Sequence, residues 1–349
     1  MVKNITIRQI HTNTLACEPI VRRTANGELL CLCQCDGVTE PAKENRVYAF
    51  HSKDNGLTWT NKENIYPEDG LATYCTEVSV IGEEITAYLS IHLGRFLDWK
   101  CVMMKSFDNG YTWENAGEPP FFPEYTFIRG TIHTKDGVRL IPYQYYPVTR
   151  EERDRIMNDD SITDKLVCLT NTPYCESGVI WSGDGGKTFE KHIACRQDIP
   201  QNMPYGYWTW NEPTLAELSD GRVVMLMRKD LSDFLWRCES ADGGKTWSAV
   251  EKTDIPNPTN KPKLINLPDG RIALIHTPNN SIISPDAPRA RFPLALWISD
   301  DDMRTWSEKT ILTDFPGSYC YPDGFCEDGH IYFTIEHNRH TVLFFDVEL

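Results

Sequence analysis

Along most of the chain, apolar and polar residues alternate in short runs, and a period of two is that of a strand with one buried face. ELLCLCQC, EEITAYLS, VRLIPYQY, RVVMLMR, RIALIHT and HIYFTIE each follow a two-residue turn signal: Asn26-Gly27, Ile81-Gly82, Asp136-Gly137, Asp220-Gly221, Asp269-Gly270 and Asp328-Gly329. Asn-Gly and Asp-Gly between alternating runs are the strongest short-range hairpin signals. The pattern therefore predicts six hairpins.

A second pattern is interleaved with the first. The octamer Ser-x-Asp-x-Gly-x-Thr-Trp reads SKDNGLTW from Ser52, SFDNGYTW from Ser106, SGDGGKTF from Ser182 and SADGGKTW from Ser240. A degraded copy, SDDDMRTW, starts at Ser299 and has Met303 in the glycine place. The Asp side chain can cap the amides of a tight turn, the Gly supplies a positive φ, and the Trp opens the next strand and fills an apolar gap. Repeats of this kind specify architecture and say little about chemistry.

Six hairpins, five of them followed by an octamer, predict an all-β fold: a six-bladed β-propeller of four-stranded antiparallel blades. A closed ring of blades leaves only short, protected sheet edges. The sixth blade has no octamer because it ends in TVLFFDVEL. The N-terminal strand, about Ile5 to Ile10, is expected to complete that blade and close the ring. Residues 1–349 then form one domain. The charged stretch from Thr149 to Asp164 reads as a loop or short helix inserted in blade three.

Hairpin register points at one mouth of the central channel. Counting nine residues back from each turn glycine reaches Glu18, Thr73, Ile128, Glu212 and Lys261, and eight back from Gly329 reaches Tyr321. Glu18, Glu212, Lys261 and Tyr321 each precede proline, which is tolerated at the first position of a strand. Counting seven forward gives Gln34, Leu89, Gln144, Arg228, Thr277 and Glu336. With Asp36, His92, Arg129, His133 and His276 nearby, these side chains can converge. Two carboxylates, a tyrosine and an arginine on different blades suit a sugar site.

Composition narrows the classes. With 35 Lys+Arg against 50 Asp+Glu the net charge is −15, which disfavours nucleic-acid binding through a basic field. No apolar run reaches the length of a membrane span, and the N-terminus lacks a signal-peptide core. Twelve cysteines without such a signal suggest a reducing, cytoplasmic setting. Cys31, Cys33 and Cys35 alternate and read as small core hydrophobes. No phosphate loop, metal-ligand pair or serine elbow is evident, so neither cofactor nor metal is expected. Four tryptophans belong to octamers; Trp208 and Trp210, just before Glu212, are better placed to stack on a sugar. Arg95 and His92 are candidates for the rim of blade two.

The five octamers, NEPTLAELSDGRVVMLMR from Asn211, RFPLALWISDDDMRTW from Arg291 and the closing SYCYPDGF together resemble the sialidase (neuraminidase) superfamily, whose members carry such Asp-box, or BNR, repeats. The resemblance spans nearly the whole chain. It implies a six-bladed propeller and a site with a tyrosine nucleophile, an assisting glutamate, an aspartate acid/base and three arginines that grip the sugar carboxylate. Glu212 is similar to the assisting glutamate, Arg228 and Arg291 to the second and third arginines, and Tyr321 (or its neighbour Tyr319) to the nucleophile. Where sialidases carry Arg-Ile-Pro this chain has Cys17-Glu18-Pro19, so the first arginine is absent. The acid/base has no direct counterpart; Asp36, Glu40 and Glu44 are candidates.

Two catalytic versions follow. In one, Tyr321 attacks the anomeric carbon with help from Glu212, and Asp36 or Glu18 is the acid/base. In the other, Glu18 and Glu212 are the carboxylate pair common to glycosidases. Arg228, Arg291, Arg129, His133, Arg95 and Trp210 would bind the sugar. The expected activity is exo-glycosidic, on a terminal and possibly acidic sugar of a glycan. Two alternatives stand beside it: elimination on uronic-acid polymers with His133 as base, and a carbohydrate-binding propeller without catalysis.

Overall fold

The computed structural model describes residues 2–68, 70–94, 99–121, 125–149, 151, 154–155, 158, 172–198, 212–229, 232–279 and 291–349. Its strands fall into six antiparallel sheets that follow one another along the chain. The first blade runs Ala16–Arg23, Leu29–Cys35, Arg46–Ser52 and Glu63–Asn64, from channel to rim. The sixth contains Tyr319–Glu327, His330–His337 and Thr341–Glu348, and its outermost strand is Asn4–Thr12 from the other end of the chain. The expected ring closure is therefore present, with Ile5 opposite Val347 and Arg8 opposite Phe344. Strands near the channel touch from blade to blade all the way round, which makes a six-bladed propeller.

The apolar core lies between blades. Leu30, Leu32 and Val47 of blade one pack on Val78, Ala87 and Leu89 of blade two, and Ile275 and Leu296 of blade five pack on Phe333 and Phe345 of blade six. Cys31, Cys33 and Cys35 are all buried beside Phe50 and Val342. Their neighbours are hydrophobes, as their alternation along a strand predicts.

The octamers build the same turn five times. In the first, Ser52 Oγ accepts the Gly56 amide at 2.7 Å, while Asp54 accepts the amide and hydroxyl of Thr58 at 2.8 and 2.6 Å. Trp59 Nε1 donates to the Gly56 carbonyl. A Cβ on Gly56 would stand 2.1 Å from the Phe344 ring, so the neighbouring blade as well as the positive φ demands glycine. The degraded copy keeps the geometry: Met303 adopts φ 61° and its amide still reaches Ser299 Oγ at 2.9 Å. Its side chain is buried between blades four and five, which offsets the backbone strain.

Blade three departs from the regular pattern. Its inner strand is split into Thr126–Ile128 and Ile132–His133, both paired with Arg139–Tyr145. Pro142 lies in the middle of that partner and has no N–H to give. The Arg129 amide bridges the gap, donating to the Pro142 carbonyl at 2.8 Å. The break frees Arg129 from the regular ladder and turns it into the channel. In the charged insert, residues 151, 154, 155 and 158 have helical backbone.

Candidate active site

Two backbone bulges build the site. In blade one the pairing of Ala16–Arg23 with Leu29–Cys35 slips between Cys17 and Ile20; in blade six the equivalent pairing slips between Cys320 and Asp323. The residues at these slips are Glu18-Pro19 and Tyr321-Pro322. Glu18 has φ 50° and Tyr321 φ 57°, both left-handed. Proline fits a bulge because it has no ladder hydrogen bond to lose. Only Pro213 stands at a strand start, where register counting puts all of these prolines. Left-handed backbone at a glutamate and a tyrosine costs about 1–3 kcal/mol each and is typical of functional positions.

Arg129 is the hub. Its Nη1 donates to Glu18 Oε2 at 3.1 Å and to the Tyr74 hydroxyl at 2.9 Å. Its Nη2 stands 3.6 Å from Glu212 Oε1, and its Cζ lies 5.8 Å from the Tyr321 ring centre. Opposite, Arg228 Nη1 donates to Glu212 Oε2 at 2.8 Å and reaches the Tyr321 hydroxyl at 3.4 Å. Arg291 donates to the Thr259 carbonyl at 2.9 Å and to Cys320 Sγ, next to Tyr321. All six blades thus contribute side chains to one buried centre, blade two through Tyr74.

Charge is distributed unevenly within it. Burial pushes the Glu18 carboxyl up to about 7, with Arg129 and Lys261 opposing the rise and Glu40 and Glu212 adding to it. Burial also works against the Glu212 charge, but Arg228, Arg129 and Lys261 outweigh it and hold that carboxyl below its ordinary range. The Tyr321 phenol is raised well above its ordinary value by burial and then by Glu212 and Glu18, against Arg228 and Arg291. Near neutral pH the centre therefore combines an ionised Glu212, a Glu18 close to its titration point and a protonated Tyr321. Two further carboxyls border Glu18: Glu336 accepts the Glu18 amide at 3.1 Å, and Glu40 is paired with Arg339.

The other sequence candidates divide clearly. Tyr319 is buried with its hydroxyl on the Phe315 carbonyl and its ring on His337, turned away from the centre that Tyr321 faces. Asp36 accepts hydrogen bonds from Asn13, Tyr48 and Lys62, and none of its bonds reaches Glu18, Glu212 or Tyr321. His133 is exposed near the Asp136-Gly137 turn, paired across the ladder with Arg139. Among the described residues it has no hydrogen bond or ion pair with Glu18, Arg129 or Glu212. His92 and His276 are fully buried, and burial lowers each to about 3. Arg95, Trp208 and Trp210 lie outside the described residues. Among the described residues no cluster of His, Cys, Asp and Glu suits a metal ion. Sequence reading placed Lys261, Glu336 and Glu40 near the mouth but gave no part to Tyr74 or Arg339.

Comparison with known proteins fits this geometry. A family model described as a BNR repeat-like domain matches residues 77–333. The chain belongs to the BNR repeat-like family, within the sialidase superfamily. Its sequence is 24% identical over 245 residues to a sialidase of Bacteroides fragilis, covering 67% of this chain and 39% of that relative. The chain thus spans about two fifths of the length of the curated relative it matches. Among solved structures, a Hadza microbial sialidase has a TM-score of 0.71 at 16% identity, covering 97% of this chain and 66% of its own. Trypanosoma rangeli sialidase in complex with the inhibitor DANA has a TM-score of 0.69 at 13% identity, covering 99% and 60%. A protein of unknown function from Dyadobacter fermentans has a TM-score of 0.70 at 17% identity and covers both chains in full. At these identities the structural likeness concerns the fold. Membership of the superfamily supports a sialidase-type glycosidase or a carbohydrate-binding propeller.

Proposed function

We propose that the protein is a sialidase-type glycoside hydrolase that removes a terminal sugar, with Tyr321 as nucleophile, Glu212 as its base and Glu18 as acid/base. The observation that carries this reading is the shared Arg228 nitrogen, 2.8 Å from Glu212 and 3.4 Å from the Tyr321 hydroxyl. It holds an ionised carboxylate beside a protonated phenol. As the Tyr321 oxygen bonds to the anomeric carbon, the phenol proton passes to Glu212. The glycosidic C–O bond breaks, and its oxygen takes a proton from Glu18. In the second step Glu18, now a carboxylate, removes a proton from water that attacks the anomeric carbon, and the Tyr321 oxygen leaves and recovers its proton from Glu212. A general acid/base titrating near neutrality suits that double role. Asp36, held by three donors, is less available for it, and elimination through His133 lacks a base near the centre.

The test is a panel of fluorogenic aryl glycosides, sialosides included. The expected result is turnover that falls at least about 100-fold in Glu212→Gln and in Tyr321→Phe. If both variants keep full activity on a substrate the parent cleaves, the assignment fails. Saturable sugar binding without turnover in the parent would identify the carbohydrate-binding alternative.

A further inference from the structure

Glu336 is fully buried on strand His330–His337 of blade six, opposite Cys320 in the ladder. Its carboxyl makes one hydrogen bond among the described residues: Oε2 accepts the backbone amide of Glu18, in blade one, at 3.1 Å. Oε1 is buried and has no hydrogen-bond partner among those residues. Arg339 favours the Glu336 charge through space but is ion-paired with Glu40. Burying a carboxylate with one oxygen unsatisfied is a costly way to satisfy a single amide. Stability alone does not account for it.

What this bond holds is the strained residue of blade one. Strand pairing slips between Cys17 and Ile20, so the Glu18 amide lies outside the ladder, and its φ of 50° is left-handed. Such backbone relaxes to an extended conformation unless its surroundings hold it. Two bonds hold Glu18. Glu336 takes its amide from blade six, and Arg129 Nη1 takes its Oε2 at 3.1 Å from blade three. Backbone and side chain are thus fixed from two different blades. We propose that Glu336 is a positioning residue, which clamps the Glu18 peptide in the left-handed bulge and so aims the Glu18 carboxyl at the leaving oxygen. This rests on the acid/base role given to Glu18 above. A misplacement of about 1 Å can cost about 100-fold in rate, so Glu336 can govern turnover without touching the sugar.

Three variants of the full chain test the clamp. Glu336→Gln keeps an oxygen acceptor at full length and loses the charge, Glu336→Asp keeps the charge and draws the oxygens back by one methylene, and Glu336→Leu loses both. In protein carrying isotope-labelled glutamate, the Glu18 amide proton should exchange about as in the parent in Glu336→Gln. It should exchange about tenfold or more faster in Glu336→Asp and Glu336→Leu, as loss of a hydrogen bond to a charged acceptor implies. Turnover is compared on a methyl glycoside, whose leaving oxygen needs a proton, and on a dinitrophenyl glycoside of the same sugar, whose leaving oxygen does not. Glu336→Asp should lower kcat about tenfold or more further on the methyl substrate, with KM little changed, and Glu336→Gln should recover most of that loss. Adding Glu336→Asp to Glu18→Gln should cost nothing beyond Glu18→Gln alone. A merely structural role would slow both substrates alike. Thermal midpoints show which variants fold, and if Glu336→Leu does not, the Asp and Gln variants decide. Parental exchange in Glu336→Asp overturns the clamp, and so does a loss in Glu336→Gln as large as in Glu336→Asp, which would assign the effect to charge. No turnover in the parent, or no leaving-group dependence in Glu18→Gln, removes the acid/base role of Glu18, and amide exchange then decides the clamp alone. Leaving-group dependence in Glu18→Gln with parental exchange in Glu336→Asp keeps the acid/base role and removes the clamp.

Discussion

The rim and the mouth of this propeller use polar groups in opposite ways. At the rim, each octamer satisfies its own donors and acceptors within eight residues: serine to glycine amide, aspartate to threonine amide and hydroxyl. At the mouth, partners come from different blades and several buried atoms, including Glu212 Oε1, Glu336 Oε1 and Arg129 Nε, have no hydrogen-bond partner among the described residues. The backbone differs in the same sense. Left-handed φ falls mainly on Asn and Gly at the octamers, where it is cheap, and on Glu18 and Tyr321 at the mouth, where it is not. The rim is arranged to be stable. The mouth holds charge and strain that the rim and the interblade cores must sustain, as a site prepared for a ligand does.

The strongest challenge to that contrast is Arg129→Met. It leaves Glu18 without its ion pair and Glu212 with Arg228 as its remaining ion pair among the described residues, in a buried centre. Removing one partner of a buried pair costs about 3–5 kcal/mol. Urea unfolding should register that loss, and Arg129→Met combined with Glu18→Gln should recover much of it. Failure of the second change to rescue would mean that Arg129 acts mainly through Tyr74 and packing against Phe127, and the mouth would then be less electrostatic than described.

Next in size is the pH response of Glu18. Its carboxyl titrates near 7 in the folded protein against 4.5 as the ordinary value. The folded state therefore holds this proton more tightly than the unfolded chain does. The stability associated with it is fully present below pH 4.5 and is lost as pH rises through 7. Glu18→Gln cannot ionise, so its stability relative to the parent should grow between pH 5 and pH 8, by up to about 3 kcal/mol. Glu40 and Glu336 are raised by burial too and keep their share in the variant, so part of the slope persists. Parallel unfolding curves for parent and variant across that range would remove Glu18 as the titrating group.

Legibility in the sequence follows the same divide. The rim was readable because its interactions are local: an octamer carries its own turn, and Asn-Gly or Asp-Gly carries its hairpin. Register counting also reached Glu212 and Arg228, which flank a regular two-stranded ladder. It reached Glu18 and Tyr321 in position but misread their prolines as strand starts, because a bulge shifts pairing by one residue without altering composition. Arg129 came to the mouth through a strand break at Pro142, a signal present in the sequence as proline inside a strand-like run. The Glu40–Arg339 pair spans 299 residues of chain and closes only with the ring. Asp36 counted as a mouth residue, but Lys62 and Tyr48 from its own blade engage it first.

The smallest effect tests the rim. Ser240 Oγ is buried, accepts the Gly244 amide at 2.8 Å and donates to Asp242 at 2.8 Å. Ser240→Ala leaves that amide without its acceptor but keeps the Asp242 contacts to Lys245 and Thr246, so the turn is weakened rather than lost. A buried hydrogen bond of this kind is worth about 1 kcal/mol. Ser299→Ala should cost about the same although its octamer has lost the glycine, because Met303 reproduces the amide contact at 2.9 Å. Since each octamer is self-contained, the two losses should add in the double variant. Neither change should move sugar binding or its pH profile. A shift in either would show that strain at the rim is transmitted to the mouth, and the two regions would then have to be treated as one coupled system.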